Sequence, residues 1–267
     1  MTLLAGKRGL IVGVANERSI AWGIAETLAK QGAELAFTYQ GEAFERRVKP
    51  LAESIGSQIV LSCDVEDTAS IEAVFTTLVE TWGKLDFLVH SIAYSDKNEL
   101  KGRYVDTSAE NFARTMRISC FSFTDMARRA RPLMTDGGSM ITLSYYGAER
   151  VMPSYNVMGV AKAALEASVR YLAADLGPDG IRVNAISAGP MRTLSGSAVG
   201  SARRIFNWSE ANAPLRTSVT LEQLGNTALY FVSDLSGGVT GEVHHVDAGY
   251  NIVGLPYLTG DEDAPKT

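Results

Sequence analysis

Short apolar runs alternate with longer stretches of helical periodicity along almost the whole chain. The runs Arg8–Gly13, Glu34–Tyr39, Gln58–Ser62, Asp86–Ser91, Ser139–Ser144, Arg182–Ser187 and Glu242–Val246 predict strands. Between them, apolar residues recur at helical spacing over Ile20–Gln31, Glu42–Ile55, Thr68–Trp82, Ala109–Met134, Tyr155–Leu176 and Leu221–Ser233. Glycine and proline mark the joints, as at Gln31-Gly32, Asp136-Gly137-Gly138, Gly177-Pro178-Asp179-Gly180 and Gly189-Pro190. Strands rich in Val, Ile and Leu, alternating with helices, imply a parallel sheet covered on both faces. Right-handed crossovers of this length wind it into an α/β, doubly wound (Rossmann) sheet of about seven strands.

No linker, charge block or internal repeat divides the 267 residues, so one domain is expected over 1–267. The end of the chain, 255–267, closes on the acidic Gly260–Thr267 and is expected to be a flexible tail. With 46% apolar and 21% charged residues the composition is that of an ordinary globular protein. The net charge of −5 argues against a general nucleic-acid binder, which carries a basic footprint. Cys63 and Cys120 lack C-x-x-C spacing and read as buried, unpaired thiols of a reducing compartment. His90, His244 and His245 form no metal signature and read as packing or satisfied polar groups. There is no signal-peptide pattern and no run long enough to span a membrane, so a cytoplasmic protein is expected.

The most informative chemistry lies in Tyr155…Lys162, seven residues apart. Seven steps make nearly two helical turns, so both side chains emerge from one face, about 10 Å apart along the axis. A phenol is a feeble acid near neutrality, and a neighbouring cation favours its phenolate form. The first strand runs into Val14-Ala15-Asn16-Glu17-Arg18-Ser19, and Ser19 is placed to cap the helix that starts at Ile20. A helix N-terminus suits a pyrophosphate, but the G-x-G-x-x-G fingerprint is absent: glycine stands at 13 and 23 with none between. The second strand ends at Gln40, neither the acid that binds ribose hydroxyls nor the base that accepts a 2′-phosphate, which inclines the reading toward NADH.

Taken together, six segments resemble the enoyl-acyl-carrier-protein reductases of bacterial fatty-acid synthesis, the divergent NADH-linked branch of the short-chain dehydrogenase/reductases. They are Gly13…Ser19-Ile20-Ala21-Trp22-Gly23, Cys63-Asp64-Val65, His90-Ser91-Ile92-Ala93, Ser144-Tyr145-Tyr146-Gly147-Ala148-Glu149 with Tyr155…Lys162, Ser187–Leu194, and Val246-Asp247-Ala248-Gly249-Tyr250. Ordinary short-chain dehydrogenases place Tyr and Lys four apart, carry a glycine-rich first loop, and have N-N-A-G after the fourth strand. The seven-step pair, the stretched loop and Ser91-Ile92-Ala93-Tyr94 all depart toward the enoyl reductases.

The resemblance implies that Gly13, Ser19 and Ile20 line the cofactor's pyrophosphate and ribose, and Gln40 its adenosine side. Asp64 and Val65 would meet the adenine, while Ile92, Met191, Thr193, Leu194 and Ser195 follow strands at the sheet's binding edge. It implies reduction of a trans-2-enoyl thioester by NADH, with Tyr155 donating to the enolate oxygen and Lys162 holding the nicotinamide ribose. Tyr145 either relays a proton or bounds the acyl channel, and Ser95 lies near the thioester. Ser195–Asn212 reads as a flexible loop and amphipathic helix forming a lid, with Ala198, Val199, Ile205 and Phe206 on its apolar face. Arg203 and Arg204 on that lid would meet the acidic acyl carrier protein, unless they are simply solvated. A homotetramer with two-fold symmetry is the family expectation. Two alternatives remain open from sequence: a short-chain dehydrogenase acting on a carbonyl (3-oxoacyl) substrate, with Ser144 in the customary serine neighbourhood, and a non-catalytic NAD(H)-binding sensor.

Overall fold

A computed structural model describes residues 2–193 and 202–255. Seven strands, β1 (Arg8–Val12), β2 (Glu34–Tyr39), β3 (Ile59–Ser62), β4 (Phe87–His90), β5 (Gly138–Ser144), β6 (Ile181–Ala188) and β7 (Val243–Val246), form a single sheet in the order β3-β2-β1-β4-β5-β6-β7. Every neighbouring pair is parallel. The α/β doubly wound architecture and all seven strands are as expected, each boundary within a residue. From β1 the chain winds outward to β3, then returns to place β4 on the other side of β1. Ligands of such sheets bind in the crevice at this reversal, beyond the carboxyl ends of the strands.

The helices are α1 (Ile20–Lys30), α2 (Glu42–Ser54), α3 (Thr68–Trp82), α4 (Ala109–Met116), α5 (Ser122–Ala130), α6 (Asn156–Leu176), α7 (Ala202–Asn212) and α8 (Leu221–Val232). Successive strand residues point to opposite faces, and the core divides accordingly. Ile11, Phe37, Val89 and Ile141 face α1, α2 and α8. Their neighbours Leu10, Ala36, Leu88 and Met140 face α3, α5 and α6. Gly23 of α1 is explained by this packing and not by the phosphate loop. A Cβ there would stand 2.6 Å from Leu221 Cβ, and one on Gly225 would stand 2.8 Å from the Gly23 carbonyl, so two glycines let α1 and α8 touch.

The expected helix over Ala109–Met134 is interrupted. Between α4 and α5 lies a π-helical turn, Arg117–Phe121, and a 3₁₀ turn, Arg131–Leu133, follows α5. The wide turn has a local cause. Ser119 Oγ both accepts from Tyr94 N (2.9 Å) and donates to its carbonyl (3.0 Å), while Ser122 Oγ donates to Ile118 O at 2.6 Å. These bonds pin the turn against the loop after β4, and such bulges concentrate near functional sites. Among the described residues no helix is long and apolar enough to cross a membrane.

Candidate active site

Beyond β5 the chain takes an extended step at Tyr145, makes one 3₁₀ turn over Tyr146–Ala148, and enters α6 through a strained approach. Ser154 and Asn156 both have positive φ (59° and 39°). Asn tolerates this region better than most residues, and the Asn156 amide secures it by donating to the carbonyls of Glu99, Leu100 and Gly102 at 3.2–3.4 Å. Tyr155 is therefore the residue preceding α6, its N-cap, and not the first helical residue that simple periodicity predicts. Its ring lies against Gly147, where a Cβ would come within 2.5 Å of Tyr155 Cδ1. Tyr145 meets the same ring edge-on, with centroids 5.1 Å apart. The two tyrosines anticipated from sequence are thus brought together.

Lys162 is buried, and its Nζ donates to the Leu143 carbonyl at 2.8 Å. Burial pushes its pKa down to about 8, against the opposing influence of Cys120 and Glu166. Burial also raises the Tyr155 phenol well above its ordinary range, with Glu166 adding to the effect. This corrects the expectation of a phenolate favoured by a nearby cation: burial and the Glu166 carboxylate both disfavour the phenolate, and Tyr155 stays a hydrogen-bond donor. Tyr145 is shifted the same way by burial, with Tyr250 and Tyr155 beside it. Among the described residues the buried Tyr145 hydroxyl and the Ser187 hydroxyl at the end of β6 have no well-formed hydrogen bond. Polar groups left so are rare in folded interiors, and a water or a bound molecule is the usual partner.

At the other end of the crevice, Gln40 Nε2 donates to Asp64 Oδ2 at 3.0 Å, joining the ends of β2 and β3. The other Asp64 oxygen accepts from Glu66 N at 2.8 Å. Arg114 grips the Glu66 carboxylate, closest approach 2.7 Å, and stacks over the Tyr94 ring at 4.6 Å. Val65 and Ile92 pack onto the core beside these groups. Gly13, with φ of 102°, allows the end of β1 to pass Ser91, whose carbonyl a Cβ would meet at 2.0 Å.

Ser19 departs from expectation. It is the N-cap of α1 by position, but its hydroxyl accepts from Ala15 N and Asn16 N, both at 3.0 Å, and gives α1 no side-chain cap. The preceding loop, lacking glycines, consumes the acceptor to hold its own turn. The consequence favours an anion: α1 presents its N-terminus to the crevice with no capping side chain and no acidic residue in its first turn. Ser95 shares hydrogen bonds with Thr115 (2.9 Å) and Asn111 (3.2 Å), so its hydroxyl is tied to α4. Met191 and Thr193 line a cavity of about 280 Å³ together with Arg18, Phe206 and Leu221. Leu194, Ser195, Ala198 and Val199 lie outside the described residues, as does the tail from 256 onward.

The helix expected within the lid segment is α7. Ile205 and Phe206 are half-buried, and Arg203 and Arg204 are exposed. Trp208 packs edge-on against Tyr250 (5.3 Å), which packs against Tyr146 (5.7 Å), so α7 is docked through aromatic contacts beside the Tyr145–Tyr155 pair. Sequence reasoning missed Trp208, Asn156 and Glu166. Only Glu166 left a signal, a carboxylate at helical spacing from Lys162 between the buried Leu165 and Val169.

Cys63 and Cys120 are buried and unpaired, as expected, and burial pushes Cys63 up to about 12, which leaves it unreactive. His90 is enclosed between Thr142 Oγ1 (3.1 Å) and Ser122 Oγ (2.8 Å). Burial, helped by Lys162, pushes it down to about 3, so it is neutral.

A parallel sheet reversing at β1/β4, an uncapped helix end beneath it, and a half-buried tyrosine and a buried lysine at the same edge define a nicotinamide-dependent oxidoreductase fold. The enoyl-(acyl carrier protein) reductase family model matches residues 13–251. An NADH-linked enoyl-acyl-carrier-protein reductase of Rhizobium meliloti is 65% identical over 96% of each chain. The crystal structure of FabI from Candidatus Liberibacter asiaticus superposes with a TM-score of 0.94 at 56% identity, covering 96% of this chain and all of that one. The enzyme from Anaplasma phagocytophilum, solved in complex with NAD, gives 0.93 at 58% identity and covers 96% of this chain and 98% of its own. The chain belongs to the enoyl-acyl-carrier-protein reductase family.

Proposed function

We infer that this protein reduces the trans-2 double bond of enoyl-acyl-carrier-protein thioesters with NADH, the last step of fatty-acid elongation. The observation that carries the mechanism is the pair itself: a half-buried, protonated Tyr155 against Tyr145, with the buried Lys162 anchored on the Leu143 carbonyl. When bound, NADH supplies the hydride for the β-carbon. Tyr155 donates to the thioester oxygen, where the enolate charge develops, and a donor prepared in a dry site costs no reorganisation as that charge forms. Tyr145 completes the pocket wall, its hydroxyl available to the acyl thioester or to a proton relay. Lys162 would hold the nicotinamide ribose with the donors that Leu143 leaves free. Gly13, Ser19 and Ile20 would surround the pyrophosphate, Gln40, Asp64 and Val65 the adenosine, and Ile92, Met191, Thr193, Leu194 and Ser195 the remainder. Ser95, held by Asn111 and Thr115, would orient the loop near the thioester.

The carrier protein is acidic, and the exposed Arg203 and Arg204 on α7 are its docking residues in this reading. Changing both to Glu is expected to raise KM for carrier-bound substrate and not for a coenzyme A thioester; equal changes would defeat the docking assignment. Exposed Phe112, Phe121, Val160 and Tyr171, all on the α4–α6 side, offer apolar surface for self-association, in line with the homotetramer expected of the family. The absence of an apolar spanning helix among the described residues and the two buried free thiols agree with a cytoplasmic location. Steady-state assays with enoyl and 3-oxoacyl thioesters against NADH and NADPH test the whole reading. Turnover of the enoyl substrates with NADH supports it, whereas preference for 3-oxoacyl substrates points to the carbonyl reductase.

A further inference from the structure

α6 turns two charged side chains into the interior, Lys162 and, one turn later, Glu166. Glu166 is only 7% exposed. Its one hydrogen bond among the described residues comes from the Ser144 hydroxyl, 2.5 Å from Oε1. A buried carboxylate with so little compensation is costly, so its presence within an otherwise apolar stripe needs a reason.

The reason lies in what Ser144 adjoins. Leu143, before it, gives its carbonyl to Lys162, and Tyr145, after it, meets the Tyr155 ring. Two residues of α6 thus hold two successive residues of β5, Lys162 holding Leu143 and Glu166 holding Ser144. We propose that Glu166 is a positioning residue of the reaction site: through the Ser144 hydroxyl it locks the end of β5 onto α6 and so sets where Lys162 and Tyr145 sit. The same bond commits the Ser144 hydroxyl to a structural partner, withholding it from substrate. The proposal rests on the reading of Tyr155 and Lys162 as the reacting pair.

Glu166 also shares its surroundings with charges from other elements. Lys162, Tyr155 and Arg170 belong to α6 and its cap, Glu149 follows the 3₁₀ turn, and His245 lies on β7, where it pairs with Glu149 at 2.7 Å. Lys162 keeps its charge below its own pKa, and an anion at Glu166 helps it do so. Glu166→Gln keeps an acceptor for Ser144 but removes that anion.

The test compares four variants by kcat, KM and pH profile. Ser144→Ala and Glu166→Leu should each lower kcat about tenfold with KM for enoyl thioester and NADH within about twofold, as displacement of reacting groups does. The double variant should be no slower than the slower single one, because one bond has been removed twice. Glu166→Gln should keep kcat at pH 7 within about threefold while the alkaline limb moves to lower pH; Ser144→Ala should leave that limb in place. The proposal is overturned if the single variants keep wild-type kcat, if their losses multiply, or if melting temperature falls while kcat per folded enzyme is unchanged. Tyr155→Phe and Lys162→Ala serve as controls. Should they remain fully active, the reading of the site fails; should they lose activity while Ser144→Ala and Glu166→Gln behave as wild type, only the positioning role fails.

Discussion

The two ends of the crevice treat polar groups in opposite ways. At the ends of β2 and β3, Gln40, Asp64 and Glu66 satisfy one another, and Arg114 is clamped on Glu66 near the surface. At the ends of β5 and β6, Lys162 and Glu166 are buried, Tyr155 and Tyr145 are pushed away from ionisation, and the hydroxyls of Tyr145 and Ser187 have no well-formed hydrogen bond among the described residues. Recognition needs groups already in place and costs little to maintain. Chemistry needs groups whose protonation is set by a dry environment, and the molecule bears that cost at the proposed reaction site.

Removing the reacting groups should separate the two ends most sharply. Tyr155→Phe deletes the proposed donor to the enolate oxygen, and kcat is expected to fall about a hundredfold, in the range seen when one oxyanion donor is lost. A loss seen only in KM would mean that this end, too, merely binds. The next effect should follow from Gly147→Ala. Its new methyl would meet the Tyr155 ring at 2.5 Å, and such overpacking costs about 1–3 kcal/mol and displaces the phenol, read as a lower melting temperature with reduced kcat.

A pH profile tests the same end without mutation. Lys162 is charged below a pKa of about 8 and loses its charge as pH rises through that value. Activity and NADH affinity should therefore decline above about pH 8, by up to tenfold per unit. A flat profile to pH 10 would place the lysine outside the reaction. The smallest effect belongs to the adenosine end. Gln40→Ala removes one partly exposed hydrogen bond, worth about 1 kcal/mol, so KM for NADH should rise a few-fold with kcat unchanged.

Much of this contrast was legible in the sequence because it depends on periodicity and spacing. Strand runs predicted each strand of β1–β7 within a residue, since burial on both faces makes them nearly uniform in apolar content. The Tyr155…Lys162 pair was legible by its interval. What escaped depends on particular hydrogen bonds, some of them distant in sequence, that residue type and spacing do not reveal. Asn156 holds its strained backbone by bonding carbonyls near residue 100, and no local pattern reveals that. Ser19 is a plausible cap from its type, but its hydroxyl serves the loop behind it. The π-helical turn at Arg117–Phe121 follows from serine bonds to Tyr94 and Ile118, while the apolar pattern runs on unbroken. Desolvation of Tyr155 was invisible because burial depth is a property of the fold.

The most direct measurement is the rate of NADH oxidation by wild type and Tyr155→Phe with matched trans-2-enoyl and 3-oxoacyl thioesters. The account predicts rapid turnover of the enoyl substrate alone, lost in the variant through kcat with little change in NADH binding. Faster turnover of the 3-oxoacyl thioester, or an enoyl rate that survives the loss of the phenol hydroxyl, would contradict it.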